Sequence, residues 1–269
     1  MPRSEHTLHV EAVVLRHSDW GEADRLLILF ARQQGKLRAV AKGARRLRSR
    51  KAGHLEPFTR VKLLLARGRD FWIVTQAETI DAYLPLREDL LRVAYASYVV
   101  ELLDRFSYEE GGNHSTETRE GDNRPLYQLL IETLERLSAA EDGFKATRYF
   151  EIRLLDLIGF RPELFHCVAC GSLIQPQDQY FSMIQGGALC PACGEHADGT
   201  RFVSLAALKL LRHFQRSSFT EASRALLPSS AASEMENLLH EYLLFLLERN
   251  LNSPAFLHQV RHERLKRSG

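Results

Sequence analysis

Two Cys-x-x-Cys pairs, Cys167 with Cys170 and Cys190 with Cys193, lie nineteen residues apart and account for all four cysteines of the chain. This is the spacing of a structural four-cysteine zinc site. Each pair forms a knuckle whose thiolates aim at one centre, and two knuckles complete a tetrahedron. Four thiolates leave no open coordination position, so the ion, one Zn2+, is expected to brace the fold and not to catalyse. A redox dithiol is the competing reading, but it needs a Cys-x-x-Cys beside a βαβ unit, and no such unit is legible here. Gly171 and Gly194 each follow the second cysteine of a pair, where tight turns are expected. His166 and His196 flank the cluster and read as surface residues. The zinc module is bounded at 164–200.

The residues before the module divide into two characters. Up to residue 82 the pattern is that of strands: Leu8, Val10, Ala12 and Val14 alternate with His9 and Glu11. Arg25 to Phe30, Leu37 to Ala41, Val61 to Leu65 and Phe71 to Thr75 follow, separated by short turns. Five short strands predict a compact barrel over 1–82, with the OB-fold as the expected form and a generic SH3-like domain as the alternative. After Pro85 apolar residues recur at helical spacing, in Leu90 to Phe106, Leu126 to Leu137 and Phe150 to Ile158. Ser204 is expected to cap one further helix, and Ser233 with Glu236 to form the capping box of another. The second domain is therefore expected to be helical over 83–269, with a flexible loop at 107–125 and the zinc module embedded in it. The whole is an α+β chain.

A net charge of only +2 would not by itself suggest a polyanion as partner, but the local distribution does. Lys36, Arg38, Lys42, Arg45, Arg46, Arg48, Arg50 and Lys51 follow one another with no acidic residue before Glu56. Ordinary solvated surfaces mix signs, and this run does not. A cationic loop on a small barrel suits a phosphate backbone, since arginine forks bind two oxygens at once. Arg25, Arg60, Lys62, Arg67 and Arg69 could extend the surface. Trp20 and Trp72 are candidates to stack on bases, and Phe58 reads as core. A second basic cluster, Arg261, Arg264, Lys266 and Arg267, reads as a frayed, solvated tail.

What is missing narrows the function. There is no phosphate-binding Gly-x-x-x-x-Gly-Lys loop, no Gly-x-Ser-x-Gly and no His-Glu-x-x-His. The chain reads as a binding protein and not an enzyme. A nuclease metal held by Asp24, Asp70, Asp81, Glu88 or Asp89 has no supporting spacing. Neither a membrane-spanning run nor a signal-peptide pattern is legible, so a cytoplasmic protein is expected. A barrel-plus-zinc factor binding RNA or the ribosome is the alternative function.

Gly21-Glu22-Ala23-Asp24-Arg25-Leu26, Gly35-Lys36-Leu37 and Ala41-Lys42-Gly43-Ala44-Arg45-Arg46 occur in order, followed by Glu151-Ile152-Arg153-Leu154-Leu155 and Gly159-Phe160 ahead of the cysteines. Together these stretches resemble the RecO family of bacterial recombination mediators, over nearly the whole chain. The resemblance implies an N-terminal OB-fold, a helical domain with a zinc module, binding of single- and double-stranded DNA and annealing of complementary strands. It also implies RecR as a partner in loading RecA onto DNA coated with single-strand-binding protein, with that protein and RecF as further partners. A nucleoid-associated location would follow. Lys36, Arg38, Lys42, Arg45 and Arg46 are the basic positions carried over. Arg48, Arg50 and Lys51 rest on charge alone. Some family members lack the four cysteines, which fits a scaffold role for zinc.

Overall fold

The computed structural model describes residues 7–108, 122–139, 142–248 and 251–268. Five strands, β1 (Thr7–Trp20), β2 (Asp24–Ala31), β3 (Gly35–Ala41), β4 (Arg60–Arg67) and β5 (Trp72–Asp81), close into a barrel in the order β1-β2-β3-β5-β4. β4 pairs antiparallel with β1 to shut the barrel, and β3 meets β5 in parallel. This is the strand order of the expected OB-fold. Alternation selects the core: Val10, Ala12 and Val14 point in with Leu27, Leu29, Leu63, Leu65 and Val74. Val13, Leu15, Ile28 and Phe30 lie outside that core and are buried as well. Burial on both faces explains why β2 reads as a continuous apolar run and not as an alternation.

The helices α1 (Leu84–Arg87), α2 (Leu90–Phe106) and α3 (Arg124–Ser138) follow the barrel. α2 starts at Asp89, whose carboxylate accepts from the Leu91 and Arg92 amides. These helices and the last one, α9 (Ser253–Ser268), form one compact unit with the barrel. The expected division after residue 82 thus marks where the barrel ends, not where the compact unit ends. The reason is chemical. Asp104 of α2 is paired by Arg16 at 2.9 Å and Lys36 at 2.6 Å from the barrel. Arg87 donates to the carbonyl of Pro57 and to the hydroxyl of Thr59. α9 is no frayed tail. Its first turn is held by Glu101 of α2, which accepts from the Asn252 and Ser253 amides and from the Ser253 hydroxyl. Leu257 and Val260 are buried, and Arg261 donates to the hydroxyl of Tyr95. For 109–121, the loop expected at 107–125 lies outside the described residues.

The second compact unit contains α4 (Gly143–Leu157), α5 (Pro191–Gly194), α6 (Leu205–Arg216), α7 (Phe219–Ser223) and α8 (Ser229–Leu247). It also holds β6 (Gln179–Ser182), β7 (Gly187–Leu189) and β8 (Thr200–Val203), a small antiparallel sheet in the order β7-β6-β8. These three short strands give no period-two signal long enough to read from sequence. Phe150, Leu154, Leu211, Phe214, Leu239 and Leu243 are buried between its helices. Ser204 caps α6 as expected, accepting from the Ala207 amide. The capping box at Ser233 is not formed, because α8 begins four residues earlier at Ser229 and places Ser233 inside the helix. The reciprocal pair is Ser218 with Glu221, at the start of α7.

Candidate nucleic-acid and metal sites

The cationic run occupies β3 and the long connection from β3 to β4, and its members have different surroundings. Lys36 is nearly buried and bonds both the carboxylate and the main-chain carbonyl of Asp104, the latter at 2.7 Å. Lys51 donates to the Val74 carbonyl at 3.0 Å, fixing the far end of the run to β5. Where the run leaves β3 it is fixed to the β1–β2 turn. Gly43, at a positive φ of 67°, donates its amide to the Asp24 carboxylate at 2.7 Å, and the Arg45 amide donates to the Ala23 carbonyl. The Arg45 guanidinium pairs with Asp19 at 3.1 Å while staying more than a third exposed. Between these anchors Arg46, Arg48 and Arg50 face solvent, as do Lys42 just before them and Arg38 on β3.

An aromatic pair sits beside this connection. Trp20, 45% exposed on the β1–β2 turn, packs edge-to-face against Phe71 of the β4–β5 turn with ring centroids 5.5 Å apart. The sequence places Phe71 at the start of the fifth strand and not among the stacking candidates, whereas β5 begins one residue later at Trp72 and leaves Phe71 in the turn. Trp72 packs against the barrel core and Phe58 is buried, so Trp20 is the aromatic presented beside Arg45. Arg25 and Arg60 do not extend a free cationic surface. Arg25 pairs with Glu56 at 2.8 Å, and Arg60 with Glu11. Burial opposes ionisation of Glu56, but bonds from Arg25 and His17 outweigh it and hold its carboxyl below the usual range.

The cysteine cluster is assembled from two different local structures. Cys167 and Cys170 lie on a tight turn in which the Gly171 amide returns to the Cys167 carbonyl at 2.8 Å, with Gly171 at a positive φ of 73°. Cys190 leads into α5, and Cys193 lies on its single turn. Gly194 serves a different purpose from the tight turn expected of it: a Cβ there would meet the Tyr180 ring at 2.4 Å. The four sulfurs lie within 4.8 Å of one another, with Cys170 and Cys190 at 3.9 Å. Regular tetrahedral coordination with metal–sulfur bonds of about 2.3 Å would separate the sulfurs by about 3.8 Å. The Cys190 amide points at the Cys167 sulfur, 3.4 Å away. Bonds from the Ser172 hydroxyl and amide push the Cys170 thiol down to about 6, while bonding to Cys190 and Cys170 pushes Cys193 up to about 12. Four thiolates this close together would repel one another, and a bound cation is what would make them compatible. The donor set therefore fits a structural metal. His166 lies beside Glu163, outside this set.

Barrel, helices and cluster together define a protein of the OB-fold class, extended by a helical body that carries a four-cysteine metal-type site. No helix among the described residues is long and apolar enough to cross a membrane. Residues 5–83 match the family model described as Recombination protein O N terminal, and residues 87–255 match Recombination protein O C terminal. A DNA repair protein RecO of Roseiflexus sp. strain RS-1 is 40% identical over 96% of this chain and 87% of its own length. A DNA repair protein RecO of Symbiobacterium thermophilum is 35% identical over 95% and 98%. The chain belongs to the RecO family.

Proposed function

We propose that this chain is a non-enzymatic mediator of recombinational DNA repair. It binds single- and double-stranded DNA through the exposed cations of the β3–β4 connection and anneals complementary strands. With RecR it helps RecA load onto DNA coated with single-strand-binding protein, and RecF is a further partner. The observation that carries this reading is the connection itself. From Lys42 to Lys51 it carries cations and no acidic residue, is anchored at Gly43 and at Lys51, and is open to solvent at Lys42, Arg46, Arg48 and Arg50 beside an exposed Trp20. Pinning matters because a prepositioned charge loses less conformational freedom on binding. Annealing needs two strands with their phosphates partly neutralised and their bases free. A cationic barrel surface supplies this without nucleotide hydrolysis.

The ion proposed for the cysteine cluster is a single structural Zn2+, held by Cys167, Cys170, Cys190 and Cys193. When bound, it supplies cross-linking of the two knuckles. Elemental analysis of the purified protein should give one zinc per chain, and a metal-free protein of normal stability would remove this part of the reading.

The functional test is strand annealing of complementary oligonucleotides, with and without single-strand-binding protein, alongside DNA affinity across a salt series. Arg46→Ala with Arg48→Ala should weaken binding and flatten the slope of log affinity against log salt by roughly 0.7 per lost contact on single strands. An unchanged slope would move the DNA site off this connection. Stronger binding to RNA than to matched DNA would favour an RNA-binding factor instead.

A further inference from the structure

Helix α6 presents to solvent a face that the barrel reading does not use. One side of it is core: Ala207, Leu208, Leu211 and Phe214 are buried. The other side carries Lys209, Arg212, His213 and Arg216, spaced three, four and seven residues apart on one face, and the helix has no acidic residue. Arg212 is half-buried and donates to the Leu164 carbonyl at 2.9 and 2.6 Å, so it secures the segment entering the first cysteine pair. Its guanidinium lies 4.9 Å from the Phe165 ring centre. Arg216 lies against the same ring at 3.6 Å. Among the described residues the exposed Arg216 makes no hydrogen bond or ion pair, and neither does Lys209.

Two like charges therefore share one aromatic ring a helical turn apart. Burial first, and then the Arg216 charge, act against the protonated form of Arg212, and Glu163 only partly offsets them. An approaching anion would relieve this repulsion. The geometry also favours one kind of anion. The Arg216 guanidinium carbon lies over the Phe165 ring, 3.6 Å from its centre, so the ring backs the cation while Arg216 itself stays exposed. A carboxylate is met along the edge of a guanidinium, whereas a nucleic-acid base stacks on its plane. Lys209 lies about 10 Å away along the helix axis.

We propose that Lys209 and Arg216, with the Phe165 ring beneath Arg216, form a second contact for single-stranded nucleic acid on the helical unit. Lys209 meets one phosphate; Arg216 meets another along its edge and stacks its outer face on a base. This rests on the reading of the chain as a DNA-binding protein and adds a site beside the cysteine cluster.

The test uses the full chain and a labelled oligo-dT strand, read by fluorescence anisotropy across a sodium chloride series. Lys209→Gln and Arg216→Gln should each flatten the salt slope by roughly 0.7. Arg216→Lys should keep the slope yet weaken oligo-dT binding by about fivefold or more relative to an abasic strand of equal length, because charge is retained and the stacking plane is lost. Ala206→Glu, on the same exposed face and away from the ring, gives an independent check and should also weaken binding. Unchanged slopes in the glutamine variants while the Arg46 and Arg48 variants lose theirs would overturn this inference alone. So would Arg216→Lys binding oligo-dT normally, or polyglutamate binding that the variants abolish while DNA binding stays intact. Absence of DNA binding by the unmodified protein would overturn the proposed function as well.

Discussion

Lys36 and Arg48 belong to one cationic run, yet their surroundings give them different roles. The Lys36 ammonium sits 2.6 Å from the Asp104 carboxylate in a place little exposed to water. Burial disfavours the charged Asp104, but bonds from Lys36 and Arg16 more than compensate and keep its carboxyl below the usual range. Lys36→Ala would leave that carboxylate with Arg16 alone and should cost about 3 kcal/mol, in the range for breaking a largely buried pair. Arg48 is exposed, and Arg48→Ala should change stability by no more than about 0.5 kcal/mol while reducing DNA affinity. Urea unfolding and DNA titration of the two variants separate the roles. A Lys36→Ala protein as stable as the parent would show the pair to be unimportant. The sequence made the run legible as charge, but it could not sort its members. Partners 68 residues apart, such as Lys36 and Asp104, leave no local signature. The cysteines were legible because two Cys-x-x-Cys pairs are a short, local pattern that brings four sulfurs together.

The α2–α9 pairing has a similar logic between elements. The last helix has a weak apolar pattern, so the sequence suggested a solvated tail, whereas a single carboxylate from α2 satisfies its first-turn donors. Burial opposes the charge on Glu101, but the Ser253 hydroxyl and the Asn252 and Ser253 amides outweigh it, and its carboxyl is held below the ordinary 4.5. The sign follows. A carboxyl with a lowered pKa in the folded state stabilises that state above its unfolded pKa, and the contribution is lost as pH falls through the folded value. α9 should therefore loosen on acidification below about pH 4.5, and hydrogen exchange, corrected for intrinsic rates, should show its amides opening before those of the barrel. Glu101→Ala should produce the same loosening at neutral pH, at a cost of about 2 kcal/mol. Equal protection of α9 in parent and variant would contradict this. A second prediction concerns the cysteine module. Chelation, or Cys190→Ser, should lower the melting temperature and open β6 to β8 to exchange, because structural zinc contributes on the order of 10 kcal/mol to folding in small zinc modules. DNA binding by the barrel cations should survive where the barrel remains folded.

For the whole molecule, family boundaries and compactness divide the chain differently. The two family models meet between residues 83 and 87, at the end of the barrel. The compact units instead leave α1 to α3 and α9 with the barrel. The sequence could show where strand periodicity stops, but not that the barrel's outer residues require cover. Val13, Leu15, Ile28 and Phe30 are between 0 and 3% exposed, and none belongs to the barrel's own core. Each fully buried apolar side chain of this size contributes about 1.5–3 kcal/mol. Exposing four would remove roughly 6–12 kcal/mol, comparable with the whole stability of a typical domain at about 5–15 kcal/mol. Asp104 would also be lost as the partner of Arg16 and Lys36. A fragment ending at residue 82 should therefore fail to fold cooperatively, despite closing the barrel on paper, and should bind hydrophobic dyes or aggregate. Replacing Val13, Ile28 and Phe30 with Thr, Thr and Gln should recover solubility in that fragment while destabilising the full chain, since the same positions are exposed in one and buried in the other. Thermal melts and sedimentation of the four proteins would read this out. A monomeric, cooperatively melting 1–82 fragment with its natural residues would show that the barrel needs no cover.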